Sequence, residues 1–260
     1  MVKRILFTAP VSYHNRLREA ISMSPVSFSP LFVPLIRTSV LPPDGAFLEF
    51  CRCLTSFDYI VCPSLTAVRA LASSDLSRTN FEGRVVAIGR DQLSVTRLLG
   101  VEPVLRYAKP SMMGIVEALQ LQSSPSAKHV AVLLPQFSGL PVPTTTITDF
   151  LSALRLMGVA VTPVYCYRTS TIDQERCANL ADALCRGIVN AIAITSGGEA
   201  YVLSRILSLA AAQGQPVEVP IYSFGPYTTR CAQEVALDVA GTSPCHHSFT
   251  DYVEYLASVV

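Results

Sequence analysis

The feature that most constrains this chain is a duplication. "FDYIVCPSLTAVRAL" (57–71) reads like "VNAIAITSGGEAYVL" (189–203): in each, a short apolar run ends at a serine, Ser64 or Ser196, and a helical pattern starts at once. "VVAIGRDQLSVTRLLGVEP" (85–103) pairs with "PIYSFGPYTTRCAQEVALDV" (220–239), each reading as a strand, a strand-end glycine (Gly89, Gly225), an amphipathic helix and a further short strand. "YAKPSMMGIVEAL" (107–119) pairs with "AGTSPCHHSFTDYVEYL" (240–256), a proline-containing loop leading into a helix. The beginnings pair as well, "KRILFTAP" (3–10) with "KHVAVLLPQ" (128–136). "SPLFVPLIRTS" (29–39) pairs with "VAVTPVYCYRTS" (159–170), down to a shared Arg-Thr-Ser. Strands alternate with helices and no tight-hairpin signal appears, so each copy is expected to be a doubly wound parallel α/β sheet. The polar stretch Ser123–Ser126 reads as the joint between copies.

Open parallel sheets bind ligands beyond the C-terminal ends of their strands. Ser64, Gly89, Ser196 and Gly225 all sit at such ends. After Ser196, Gly197 and Gly198 expose backbone N–H groups where a helix dipole is positive, a natural place for an anion. A sharp turn alone would also account for two glycines; their place in a duplicated strand end strengthens the ligand reading.

Bulk properties narrow the function classes. Half of the 260 residues are hydrophobic and 15% are charged, which fits a large folded core. A net charge of +1 argues against bulk nucleic-acid binding. The apolar runs are too short for a membrane span or a secretory signal, so a cytoplasmic location is expected. The eight cysteines show no Cys-x-x-Cys spacing, and Cys62 and Cys166 lie in apolar runs, the pattern of reduced, buried thiols. Cys245-His246-His247 lacks a second ligand cluster, so no metal site is expected.

The strand end "ITS" (194–196) with its copy "CPS" (62–64), "FGPYTT" (224–229), "VYCYRTS" (164–170) and the tail "TSPCHHSFTDYVEYL" together resemble the uroporphyrinogen-III synthase family over nearly the whole chain. "FGPYTT" is the most specific, resembling that family's Gly-Pro-x-Thr turn. The resemblance implies two domains joined by two linker strands: residues 1–37 with 168–260, and residues 38–167, with the active site in the cleft between them. The repeat alone would have favoured two consecutive halves.

It also implies a reaction. Linear hydroxymethylbilane loses its terminal hydroxyl as water, the resulting azafulvene reacts through a spiro intermediate, and ring D is inverted as uroporphyrinogen III closes. No metal or organic cofactor is implied. The expected partner is the small-molecule substrate, delivered to a monomer by the preceding pathway enzyme. Tyr167 matches the family's cleft tyrosine and is the candidate to hydrogen-bond the departing hydroxyl. Ser64, Gly89, Ser196, Gly197, Gly225, Pro226 and Thr228 are candidate substrate-binding positions, with Thr228 equally readable as a helix N-cap. Lys109, Arg90 and Arg168 are candidates to meet the substrate's carboxylate arms.

Two departures from the family pattern stand out. Arg90-Asp91-Gln92-Leu93 follows Gly89 where Thr-Ala is common, and "QFSGLPVPTTT" (136–146) is a longer loop, expected to be a non-helical flap. A non-catalytic tetrapyrrole or small-anion binding module of the same fold is the competing expectation.

Overall fold

The structure is a computed structural model and describes residues 2–24, 28–74, 76, 78–89, 91–105, 111–121, 128–141, 144–246 and 248–260. Arg90, Lys109 and His247 therefore lie outside the described residues. From the N-terminus the chain runs β1 (Arg4–Phe7), α1 (Val11–Met23), β2 (Ser29–Phe32), β3 (Ile36–Val40), α2 (Gly45–Arg52), β4 (Tyr59–Cys62), α3 (Leu65–Ala72), β5 (Val85–Ala87), α4 (Asp91–Leu99) and α5 (Met112–Gln120). It continues with β6 (His129–Ser138), α6 (Asp149–Leu156), β7 (Ala160–Thr171), α7 (Gln174–Cys185), β8 (Ala191–Ile194), α8 (Gly197–Ala212), β9 (Ile221–Ser223), α9 (Pro226–Glu234), β10 (Gly241–Thr242) and α10 (Phe249–Val259). Two compact units result: Met1–Arg37, Ser138–Thr145 and Ser170–Val260 form unit 1, and Thr38–Phe137 with Thr146–Thr169 form unit 2.

The unit 1 sheet has the order β10-β9-β8-β1-β2, and its strands pair in parallel, with Ile5 opposite Ala191 and Ile192 opposite Ile221. Side chains alternate across a strand, so each strand feeds both faces. Leu6, Ile192, Ile194 and Ile221 join the core formed with α7, α8 and α9. Ile5, Phe7, Ala191 and Ala193 join the opposite core, formed with α1 and α10. Both faces are covered, which is why β8 reads as an unbroken apolar run. Each fully buried aliphatic side chain contributes about 1.5–3 kcal/mol.

A second sheet has the order β3-β7-β6-β4-β5, with β4 parallel to both β5 and β6. Ile60, Cys62, Ala131 and Leu133 face the core shared with α2, α3 and α4, while Val61, Val86, Val130 and Val132 face the one shared with α5 and α6. The expected doubly wound α/β architecture is thus present twice, with parallel-dominated sheets; next to β3, the Leu41 N–H to Cys166 carbonyl and Ile172 N–H to Leu35 carbonyl bonds run antiparallel.

Two local expectations are corrected. The short strand expected after α4 is absent among the described residues 101–105; only the Val104 N–H reaches the Val85 carbonyl, at 2.9 Å. Pro103 has no N–H to donate, which works against a ladder there. The flap expected over 136–146 is also different. β6 runs on to Ser138, Gly139 turns the chain at φ +72°, and Thr144–Thr148 form a π-helical turn leading into α6. The last proline is Pro143, so every residue of that turn keeps its N–H.

All eight cysteines are free thiols. Cys62 and Cys166 are buried, and burial pushes both thiols up, Cys166 to about 12, while Cys53 and Cys245 are exposed. Among the described residues no helix is long and apolar enough to cross a membrane, and no three His, Cys, Asp or Glu side chains cluster as metal ligands would.

Candidate functional site

Parallel order brings the ends of β1, β8, β9 and β10 to one edge of the unit 1 sheet, and five of the predicted residues, Ser196, Gly197, Gly225, Pro226 and Thr228, lie there. Ser196 follows β8 with extended backbone (φ −153°, ψ 161°) and caps α8, its Oγ accepting from the Glu199 N–H at 3.4 Å. Gly197 and Gly198 begin the helix, and among the described residues their N–H groups have no protein acceptor, as the first turn of a helix dictates. A Cβ on Gly197 would stand 2.7 Å from both Cβ and Sγ of Cys231, so a glycine there lets α8 approach α9.

Gly225 caps α9 and Pro226 occupies its first turn, where a missing N–H costs nothing. A Cβ on Gly225 would lie 2.6 Å from the His246 Cβ; the extended φ of −177° suits any residue, so it is space that selects glycine. Thr228 is not the N-cap: it lies inside the first turn of α9, is 6% exposed, and donates its hydroxyl to the Thr195 carbonyl at 3.2 Å. Thr228 thereby ties α9 to the end of β8. The N–H groups of Tyr227 and Thr228 also lack a protein acceptor among the described residues. Thr229 bonds both the Ser223 and Thr242 hydroxyls at 2.6 Å, joining the ends of β9 and β10.

Sequence reasoning missed the most heavily bonded side chain of this edge. Glu199 is 0% exposed. Its carboxyl accepts from four donors. The Thr8 hydroxyl (2.7 Å) and the Thr195 N–H (2.8 Å) reach Oε2; the hydroxyls of Thr195 (2.7 Å) and Ser196 (2.8 Å) reach Oε1. Burial pushes its carboxyl above the ordinary value, and the bonds from Thr195, Thr8 and Ser196 pull it partly back. Burial likewise raises the phenol of Tyr252, with the Glu199 charge adding to it. Tyr252 donates to the Tyr222 carbonyl at 2.8 Å. The signal was present as Ser-x-x-Glu, the capping-box spacing, in "SGGE" (196–199).

In unit 2, Ser64 caps α3, accepting from the Ala67 N–H at 3.3 Å. Gly89 takes φ +50° at the start of the β5–α4 turn, a left-handed conformation that favours glycine. Arg168 is exposed on β7. Tyr167 is 5% exposed and belongs to the core containing Cys62 and Leu133. Lys109 cannot be placed, lying outside the described residues. A cavity of about 560 Å³ in unit 1 is lined by Cys177, Val202, Arg205 and Ser208 among others, and by none of the predicted site residues.

What the unit 1 edge can do chemically follows from its donors. Two helix starts offer four amide hydrogens, and the dipoles behind them favour negative charge. Thr195 and Ser196 are partly exposed residues whose hydroxyls donate to a buried carboxyl that can exchange protons with them. Such an edge suits an anionic ligand and proton movement.

The chain is similar to known proteins in both sequence and fold. The family model of uroporphyrinogen-III synthase HemD matches residues 19–247. No curated protein sequence matches. A mutant uroporphyrinogen III synthase from the extremely thermophilic bacterium Thermus thermophilus is similar in fold (TM-score 0.59, 18% identity), with 99% of each chain covered. Uroporphyrinogen-III synthetase from Helicobacter pylori is similar as well (TM-score 0.53, 11% identity), with 100% of each chain covered. A family match over most of the chain, joined to two doubly wound units, leads to one conclusion: this chain belongs to the uroporphyrinogen-III synthase family, cyclising hydro-lyases of tetrapyrrole biosynthesis whose substrate is a small tetrapyrrole.

Proposed function

We propose that this chain converts hydroxymethylbilane to uroporphyrinogen III, removing the terminal hydroxyl as water and inverting ring D, and that the strand-end edge of unit 1 grips the substrate's carboxylates. The observation that carries the binding role is the pair of helix starts: Gly197 and Gly198 on α8, Tyr227 and Thr228 on α9, with Thr228 locking one to the other. A charge-assisted hydrogen bond contributes roughly twice a neutral one, which is about 1 kcal/mol net. Four such donors suffice to hold a polyacid although the net charge is only +1. Ser64, Gly89 and Arg168 are proposed as further substrate contacts on unit 2.

The reaction demands shape control more than reactive side chains. A bilane that closes without ring inversion gives isomer I, so the protein's task is to hold one conformation through the azafulvene stage. The departing hydroxyl also needs a proton. The buried Tyr167 phenol is one candidate donor, and the Glu199 cluster is another.

Freshly prepared hydroxymethylbilane, incubated with the purified protein, oxidised and separated by chromatography, tests the proposal. Isomer III is expected. Isomer I alone, formed at the rate without protein, would reduce the chain to a binding module.

A further inference from the structure

The Glu199 cluster has a property that capping alone does not explain. A carboxylate placed to cap a helix takes N–H groups of the first turn. Glu199 takes a single N–H, from Thr195, and three hydroxyls, from Thr8, Thr195 and Ser196. Hydroxyls accept as readily as they donate, so each can reverse when the carboxyl gains a proton. No lysine or arginine among the described residues pairs with Glu199. An ionised carboxylate buried without a counter-charge is costly, and holding a proton relieves that cost. The titratable group facing it from α10 is Tyr252; β1 and the end of β8 present only the neutral Thr8, Thr195 and Ser196. Ser196 is partly exposed, so its Oγ joins a sealed carboxyl to the edge where α8 begins.

We propose that Glu199 supplies, through the Ser196 hydroxyl, the proton that leaves with the substrate's terminal hydroxyl, and recovers one at ring closure. This rests on the proposed cyclisation. The carbon–oxygen bond of the hydroxymethyl group breaks, its electron pair staying on oxygen, while the pyrrole nitrogen lone pair makes the cationic azafulvene. The oxygen takes the Ser196 proton and leaves as water; Ser196 takes the Glu199 proton, leaving a carboxylate. Carbon–carbon bond formation then leaves one surplus proton on a pyrrole carbon, which returns along the same path. One bilane enters, and one macrocycle and one water leave. Glu199 acts through Ser196 and is a positioning residue for the proton.

The test is the pH profile of isomer III formation by the full chain. In the native protein kcat is expected to fall as pH rises and Glu199 loses its proton. Glu199→Gln keeps the shape but carries no exchangeable acid; its kcat is expected to fall about 100-fold with KM little changed, and that alkaline fall should vanish. Ser196→Ala leaves the other three bonds to Glu199 and should reproduce both effects; the double variant should be no slower than either single one. Glu199→Gln or Ser196→Ala retaining the native kcat and its alkaline fall would overturn the assignment. If Glu199→Gln does not fold, Ser196→Ala decides alone by the same criterion. Isomer III from the native protein with unchanged variants sinks this inference only; absence of isomer III from the native protein sinks the proposed function itself.

Discussion

Replacing Thr8 by valine probes the buried cluster with little change of shape. Thr8 is 0% exposed, and its hydroxyl donates to Glu199 Oε2 at 2.7 Å and to the Ala193 carbonyl at 3.1 Å. Valine fills nearly the same volume, so no cavity term enters, and the loss is that of a hydrogen bond to the Glu199 carboxyl, about 2 kcal/mol when that carboxyl is ionised. The partner left behind, Glu199 Oε2, keeps only the Thr195 N–H. Urea-dependent hydrogen exchange on peptides covering residues 190–206 reports the opening free energy of β8 and the start of α8. Thr8→Val should lower it by about 2 kcal/mol at pH values where Glu199 is ionised and by about 1 kcal/mol where it is protonated, because a neutral acceptor binds more weakly. A cycle with Glu199→Gln should show a coupling of about 1 kcal/mol.

The pH dependence has a definite sign. Because the folded carboxyl is raised above its ordinary value of 4.5, the native state holds more protons than the unfolded chain in the interval above 4.5. The stability it contributes is therefore complete below 4.5 and is lost as pH rises through the raised folded value. A Thr8→Val loss below about 0.5 kcal/mol, equal on both sides of the Glu199 titration, would refute the description of its carboxyl as held by the Thr8 hydroxyl.

Other substitutions read separate parts of the site. Gly225→Ala forces a Cβ against His246 and should cost about 1–3 kcal/mol in thermal or urea unfolding. Thr228→Val removes the bond to the Thr195 carbonyl; about 1 kcal/mol of stability and roughly fivefold in product affinity should go together, whereas unaltered affinity across a salt series would confine Thr228 to the fold. Tyr167→Phe should leave kcat for isomer III within about threefold if Ser196 carries the proton, and a loss near 100-fold would move that role to the phenol.

Legibility in the sequence followed from how local the physics is. β8, Ser196 and α8 were readable because an apolar run, a capping serine and helical spacing all act within one segment. The duplicated strand ends were readable for the same reason. The N-cap reading of Thr228, offered beside a binding role, falls three residues past the actual cap, since both Gly225 and Thr228 suit a helix start and Pro226 at the first turn decides between them. Glu199 was passed over because a glutamate in a first turn normally faces water; its burial depends on Thr8, 191 residues away, closing over it. The missing strand after α4 and the π-helical turn at Thr144–Thr148 likewise depend on neighbours that no local pattern names.

The most direct measurement follows the amides themselves. In ¹⁵N-labelled protein titrated with uroporphyrinogen III, the predicted result is saturable shifts of the Gly197, Gly198, Tyr227 and Thr228 amide signals, with those around Cys177 and Arg205 unmoved. Saturable shifts gathered around Cys177 and Arg205, with the four helix-start amides silent, would contradict the claim that this strand-end edge holds the tetrapyrrole.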